Sequence, residues 1–334
     1  MIISISKDKT TVLKGIAIVF MILHHCLIKE FYAEPPALLS TFPALRMQIG
    51  MKICVGIYTF IIGYGFWYCQ SYSPKYVWEH IWKLLKQYWI VLFLMIVPIS
   101  ICGGYFIGGG KLLIYNMFGL QCQYNLGNWY IYFYGYALLV LPLLKRGMLH
   151  DGIWRLIVAI VVFGGLATLF SSSSILSNCF RYSQVLAVGL YCAKTQVLSR
   201  WSKKITLKYV WIVLGLLAVV FRCGISGIKG FTTDTLAVPL VVITICFLFQ
   251  GKENTCTFRI LTQLGKCSTY MWFIHCIFFS VATRGVFQDM PIWINSVPIV
   301  FVIVTLISYA IAAMLIKSEK LLIKLKTTSF EERL

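Results

Sequence analysis

Ten apolar stretches, each near the length of a membrane-spanning helix, follow one another along almost the whole chain. A helix needs about 20 mostly apolar residues to cross the hydrocarbon core of a bilayer. The stretches are 12–30, 46–69, 87–107, 128–144, 153–170, 180–198, 208–223, 235–250, 267–284 and 292–316. The pattern predicts an all-α fold, a polytopic membrane helical bundle of about ten transmembrane helices. Because only short links separate the stretches, we expect a single membrane-embedded domain over residues 1–334.

Composition supports this prediction and excludes several other classes. Charged residues make up 12% of the 334 residues, apolar types 59%, and the mean hydropathy is +0.82. An average soluble domain has about 25% charged residues. A disordered tail, a soluble nucleic-acid-binding protein and an ordinary cytosolic enzyme are therefore excluded. The net charge of +19 fits cytoplasmic loops rich in lysine and arginine, and no nucleic-acid partner is expected.

The distribution of basic residues predicts the orientation. With a cytoplasmic N-terminus and ten spans, most of the 30 lysines and arginines fall on the inner side, as the positive-inside rule requires. Both termini are then cytoplasmic, with 316–334 as a cytoplasmic tail, and the first span is retained. Segment 74–86 carries Trp78 and Trp82 and is expected to lie as a helix at the inner surface. The expected location is the cell membrane, as a multi-pass protein in contact with the lipid bilayer.

The 12 cysteines are scattered. They form no C-x-x-C pair and no Cys/His pattern with zinc-site spacing. Lone cysteines in an apolar chain are mostly packing residues. We therefore expect neither a structural disulfide nor a bound metal.

The first span carries the densest set of ionisable groups. Such groups are costly in a membrane and indicate function. Lys14 and His25 are 11 residues apart, about 20° more than three helical turns, so they share a face about 16 Å apart along the axis. His24 points about 80° away from that face. The imidazole of His25 is suited to take a proton from a hydroxyl group, and Lys14 to bind an anionic donor.

Other polar residues are candidates for substrate binding. Ser268 and His275 are seven residues apart in the ninth span and share a face. Trp129 and Tyr130 enter the fourth span from outside, where aromatic residues otherwise form the lipid belt. The outer helix ends gather charges that form ion pairs with one another or ring an acceptor site, with Arg46 and Lys52 as the best candidates. The set is Glu30, Arg46, Lys52, Arg181, Arg222, Asp234 and Arg284.

Four segments resemble, in order, the acyltransferase-3 family of integral-membrane O-acyltransferases. LKGIAIVFMILHHC (13–26) is similar to the family's Arg-x10-His signature. CVGIYTFIIGYGFW (54–67) is similar to its second span, and NWYIYFYGYALLVLPLL (128–144) to its Trp-Tyr/Phe span. LGKCSTYMWFIHCIFF (264–279) is similar to its ninth span. The sequence departs from the family pattern at Lys14, usually Arg, at Ile62, where Ser is common, and at Gly56, where Asp is common.

The resemblance implies acyl transfer from cytoplasmic acyl-CoA, usually acetyl-CoA, to a hydroxyl of a cell-envelope glycan or lipid-linked sugar. It assigns donor positioning to Lys14, and the role of general base or acyl relay to His25. Two other interpretations remain open from the residues alone. One is a transporter or flippase for a polysaccharide intermediate, which would bind no CoA. The other is a membrane sensor or scaffold, which would tolerate replacement of both Lys14 and His25.

Overall fold

The computed structural model describes residues 5–32, 35–103, 109–150, 152–205, 207–225, 227–280, 283 and 296–331. Within these ranges the fold is an all-α bundle with one two-stranded hairpin. The helices are α1 Lys7–Cys26, α2 Phe42–Met51, α3 Ile53–Trp67, α4 Pro74–Val91, α5 Val97–Cys102, α6 Gly109–Met117, α7 Trp129–Gly147, α8 Ile153–Leu169, α9 Ser174–Thr195, α10 Val197–Lys204, α11 Lys208–Gly224, α12 Asp234–Leu248, α13 Cys256–His275 and α14 Val297–Glu331. The hairpin consists of β1 Gly227–Ile228 and β2 Phe231–Thr232.

The outer surface of the bundle is apolar, as expected for a protein in lipid. Large apolar side chains are exposed on several helices, among them Leu143, Trp154, Leu216 and Met314. Within the described part of the chain, four helical segments are long and apolar enough to cross a membrane: Lys7–Cys26, Phe42–Trp67, Pro74–Cys102 and Val297–Leu325. Ile153–Leu169 and Asp234–Leu248 are shorter apolar helices. The protein is therefore of the all-α membrane type. The count of ten spans and the cytoplasmic location of both termini remain predictions.

Two segments differ from their predicted form. Helix α4 continues through a π-helical turn, Leu92–Ile96, into α5. Segment 74–86 is thus continuous with the third span and is not a separate helix, whereas its position at the inner surface remains a prediction. The predicted tail likewise continues α14, which extends to Glu331.

Helices α1 and α13 are parallel and approach closely through two glycines. A Cβ atom at Gly15 would collide with the backbone carbonyl oxygen of Leu261, and one at Gly265 with that of Thr11. Because glycine has no side chain, the two backbones lie in direct contact. This contact fixes the register of the two helices, and their carboxyl ends lie side by side.

The second span is broken at Lys52, between α2 and α3. In a continuous helix the N–H of Lys52 would donate to the carbonyl oxygen of Gln48. Instead, that oxygen accepts a hydrogen bond from Nδ1 of His24 at 2.8 Å. His24 thus stabilises the break, which places Lys52 about 15 Å along the span from its beginning at Phe42.

Candidate active site

His25 and His275 meet at the carboxyl ends of α1 and α13. Nδ1 of His25 lies 2.8 Å from Nε2 of His275, and the two rings stack with centroids 5.0 Å apart. His275 is fully buried, whereas His25 keeps some exposed surface. The structure therefore brings together two residues that the sequence placed 250 positions apart.

The hydrogen-bond network determines where the protons lie. Nδ1 of His275 is 2.9 Å from the carbonyl oxygen of Met271. A carbonyl oxygen only accepts, so Nδ1 of His275 carries the hydrogen and its Nε2 accepts when the ring is neutral. Nδ1 of His25 must then donate to it. Nε2 of neutral His25 consequently has a free lone pair and is able to act as a base.

Cys276 completes a group of three potential metal ligands with His25 and His275. The three donor atoms lie within 4.8 Å of one another, and the Cys276 sulfur is 3.6 Å from His275 Nε2. Sequence spacing did not indicate this cluster, because its members come from two helices. Both ring nitrogens of His275 and Nδ1 of His25 already have hydrogen-bond partners, and the Cys276 thiol donates to the carbonyl of Trp272. The expectation that no metal is bound stays a prediction.

Aromatic rings line the space between His25 and the amino-terminal half of α1. Trp272 lies one turn before His275 and contacts Tyr130 at 4.7 Å and Tyr58 at 5.2 Å between ring centroids. The Tyr58 hydroxyl donates to the carbonyl oxygen of Lys14 at 3.1 Å. It also forms a hydrogen bond with buried Ser268. Ser268 and Tyr130, both predicted from sequence, thus lie together with Tyr58 and Trp272. These four residues are called the wall below.

A polar loop holds the outer part of this wall in place. The amide nitrogen of Asn125 donates to the carbonyl oxygen of Phe273 at 2.9 Å. The Trp272 indole N–H donates to the carbonyl oxygen of Gly127 at 3.0 Å. Leu126 N–H donates to the hydroxyl of Ser280. These bonds attach segment 118–128 to the last turn of α13, beside His275.

Lys14 lies at the opposite end of the same wall. Its side chain is partly exposed, and Lys83 of α4 is close enough to repel it electrostatically. Two neighbouring cations with exposed surface form a natural binding site for an anion. Lys14 and His25 are separated by about 16 Å along α1, and their common face stays a prediction.

The other predicted binding residues lie farther from the histidines. The Lys52 side chain is exposed, and its charge acts on both His24 and His25. Arg46 donates to the carbonyl oxygen of Gly224 at 2.8 Å and stacks on Phe42. It therefore caps the end of α11.

Trp129 stacks on Tyr182 of α9, with ring centroids 5.8 Å apart. Glu30 is exposed near the end of α1. Arg284 lies outside the described residues.

Three neighbours of the site were not among the predicted binding residues: Tyr58, Trp272 and Lys83. Tyr58 and Trp272 occur within segments that resemble the family, but aromatic residues in spans are common and carry no signal of their own. Gly56 departs from the family pattern. In the structure a Cβ at this position would lie 2.9 Å from a carboxylate oxygen of Asp234. The carboxylate of Asp234 thus occupies the space beside Gly56.

A scan against protein-family models matches residues 10–315 to the acyltransferase-3 family, described as an acyltransferase domain. The match covers nearly the whole chain, and the protein belongs to this family of membrane acyltransferases. Neither the curated proteins nor the solved structures contain a match to the chain.

Proposed function

We propose that this protein is an integral-membrane O-acyltransferase. It transfers an acetyl or another short acyl group from cytoplasmic acyl-CoA to a hydroxyl of a cell-envelope glycan or lipid-linked sugar. Family membership supports acyl transfer, and the apolar helices support a membrane location. The observation that carries the proposal is the hydrogen-bonded series Met271–His275–His25, which leaves Nε2 of His25 ready to accept a proton.

In the proposed reaction, Nε2 of His25 takes the proton of the acceptor hydroxyl as its oxygen attacks the thioester carbonyl carbon. A C–O bond forms and the C–S bond breaks. CoA leaves as a thiolate and receives the proton from the His25 imidazolium. During this step the bond from His25 Nδ1 to His275 becomes charge-assisted and therefore stronger. His275 is a positioning residue, since it acts through His25.

The donor is proposed to lie along the wall between Lys14 and His25. Lys14 and Lys83 bind its phosphate groups, which neutralise the repulsion between the two ammonium groups. The thioester then extends past Tyr58 and Trp272 toward His25. This arrangement places the lysine ammonium groups far from the His25 imidazole. The phosphate groups and the thioester of acyl-CoA are likewise far apart.

The test uses the purified full chain in lipid nanodiscs with labelled acetyl-CoA and a cell-envelope extract, followed by mass spectrometry of the labelled product. His25→Ala is expected to lower the rate about 10²–10⁴-fold, the usual contribution of a general base. His80→Gln is the matched control, because the contacts of His80 within the described chain are with Tyr76 of the same helix, through its carbonyl oxygen and its ring. Normal product formation by His25→Ala would refute the assignment. If the wild-type protein neither binds CoA nor incorporates label, it is not an acyltransferase.

A further inference from the structure

A second cluster of charged residues lies at the same end of the bundle as His25 and His275. Nε of Arg222, near the end of α11, donates to Asp234 Oδ1 at 2.5 Å, at the beginning of α12. Both side chains are buried, with 3% and 0% of their surface exposed. The β1–β2 hairpin connects the two helices and brings the pair together.

This ion pair leaves several buried polar atoms without a partner. Nη1 of Arg222 and Oδ2 of Asp234 have no hydrogen-bond partner among the described residues. The same holds, within the ranges the structure describes, for Nε of Arg181 on α9. Buried donors and acceptors are nearly always paired in folded proteins. Unpaired guanidinium nitrogens in one place therefore indicate that a ligand supplies the missing acceptor atoms.

The charges of the cluster are unbalanced. Arg181, Arg222 and Lys52 all act electrostatically on Asp234, and the two arginines also repel Lys52. Among the described residues, these three cations therefore act on the carboxylate of Asp234. Lys52 is the accessible member, since it lies at the break between α2 and α3 with an exposed side chain. An anion between Lys52, Arg181 and Arg222 would balance their excess positive charge. It would also accept hydrogen bonds from the unpaired arginine nitrogens.

The cluster is also close to the proposed reaction site. The charge of Lys52 acts on His25. The charges of Asp234, Arg222 and Arg181 all act on Tyr182. The ring of Tyr182 stacks on Trp129. The cluster of Lys52, Arg181, Arg222 and Asp234 is therefore on the His25 side of the proposed reaction site, where the acceptor hydroxyl is expected.

We propose that Lys52, Arg181 and Arg222 bind an anionic group of the acceptor, a phosphate or a carboxylate, beside the hydroxyl that is acylated. This inference rests on the proposed function. It narrows the acceptor to an anionic saccharide, such as one linked to a lipid through phosphate or one that contains an acidic sugar.

Binding is tested directly, without acyl transfer. The thermal unfolding midpoint of the purified chain is measured with sodium pyrophosphate, sodium glucuronate, or sodium chloride at equal ionic strength. We expect one of the two anions to raise the midpoint above the chloride value, and its identity distinguishes a phosphate from a carboxylate site. Arg181→Gln should remove this increase. Arg155→Gln, an exposed arginine that donates to the Gly147 carbonyl, should keep it. If neither anion shifts the midpoint, or if the shift persists in both Arg181→Gln and Lys52→Gln, the proposal is wrong.

A kinetic arm distinguishes the acceptor from the donor as the source of the anion. In the acyl-transfer assay, Arg181→Gln should raise the half-saturating acceptor concentration at least tenfold and leave that of acetyl-CoA within twofold. The opposite result would assign the cluster to the phosphates of CoA and overturn the proposal. If anion binding depends on Arg181 but no acyl transfer is detected, the proposed function fails while the anion site stands.

Discussion

His25 and His275 occupy equivalent positions on two parallel helices, each ten residues after the glycine at which α1 and α13 touch. Ten residues correspond to about 15 Å of helix. The contact between Gly15 and Gly265 therefore determines, from a distance, the 2.8 Å hydrogen bond between the two imidazoles. Packing at the middle of the two helices therefore controls the geometry of the histidines at their ends.

Gly265→Ala should both destabilise the protein and impair the site. The added methyl group would collide with the Thr11 carbonyl, and overpacking typically costs about 1–3 kcal/mol. We expect a lower thermal unfolding midpoint in detergent and a lower acyl-transfer rate, because the helices must separate. Gly165→Ala is the control, since a Cβ there meets nothing within 4 Å and alanine favours a helix. Equal midpoints for the two variants would contradict this account.

His275→Gln should reduce the rate less than His25→Ala does. Glutamine retains a polar group near His25 but does not reproduce the bond from His275 Nδ1 to the Met271 carbonyl. A loss of about 10–100-fold is expected, the range seen when a partner that orients a functional histidine is removed. The effect should fall on kcat, with KM for acetyl-CoA unchanged. The pH profile of kcat should also shift, because His275 no longer accepts the hydrogen bond that fixes the proton on His25 Nδ1. A change confined to KM would show that His275 binds substrate instead.

The sequence predicts one half of the candidate site through helical periodicity. Lys14 and His25 share a helix, so their common face follows from helical periodicity, and the family resemblance adds their roles. Ser268 and His275 are likewise related by periodicity within α13. Nothing local indicates that the two faces meet, because the meeting depends on Gly15 and Gly265 and on a separation of 250 residues along the chain.

The cluster of Lys52, Arg181, Arg222 and Asp234 shows how far sequence reasoning reaches. The sequence groups Arg222 and Asp234 among charges that could form ion pairs, but the particular pair follows from the hairpin that joins their two helices. Lys52 falls within an apolar stretch that predicts one continuous helix. At the break, His24 donates a hydrogen bond to the Gln48 carbonyl. The hydropathy pattern does not predict this contact between two spans.

The attachment of segment 118–128 to α13 is measurable through Cys122. Burial raises the pKa of the Cys122 thiol to about 11, although a hydrogen bond with the backbone of Trp129 opposes this. At pH 8 the folded protein should then have about 200-fold less Cys122 thiolate than an unfolded chain, whose thiol has a pKa near 8.5. This pKa difference contributes to the free energy of unfolding. The contribution is fully present below about pH 8.5 and is lost as the pH rises toward 11.

Asn125→Ala should release this segment, because it removes the hydrogen bonds to Phe273 and Gly127. We expect faster alkylation of Cys122 by iodoacetamide at pH 8, followed by peptide mass spectrometry, and a lower acyl-transfer rate. Exposed Cys102 serves as an internal reference that should react equally in both proteins. Unchanged labelling of Cys122 would indicate that the segment is held by other contacts.

Lys14→Ala should weaken donor binding more than it slows the chemical step. A charge-assisted hydrogen bond contributes about 1.5–3 kcal/mol, so KM for acetyl-CoA should rise about tenfold or more, with a smaller change in kcat. Lys14→Arg should retain activity, because a guanidinium keeps the charge and binds phosphate through two hydrogen bonds. Lys83→Ala should have a smaller effect in the same direction, since its side chain is exposed and its interaction is screened. Lys75→Ala on the same helix, where Lys75 pairs with Glu79 at 3.9 Å, is the matched control and should leave KM unchanged. A fall in kcat with constant KM in Lys14→Ala would place this lysine in the chemical step rather than in donor binding.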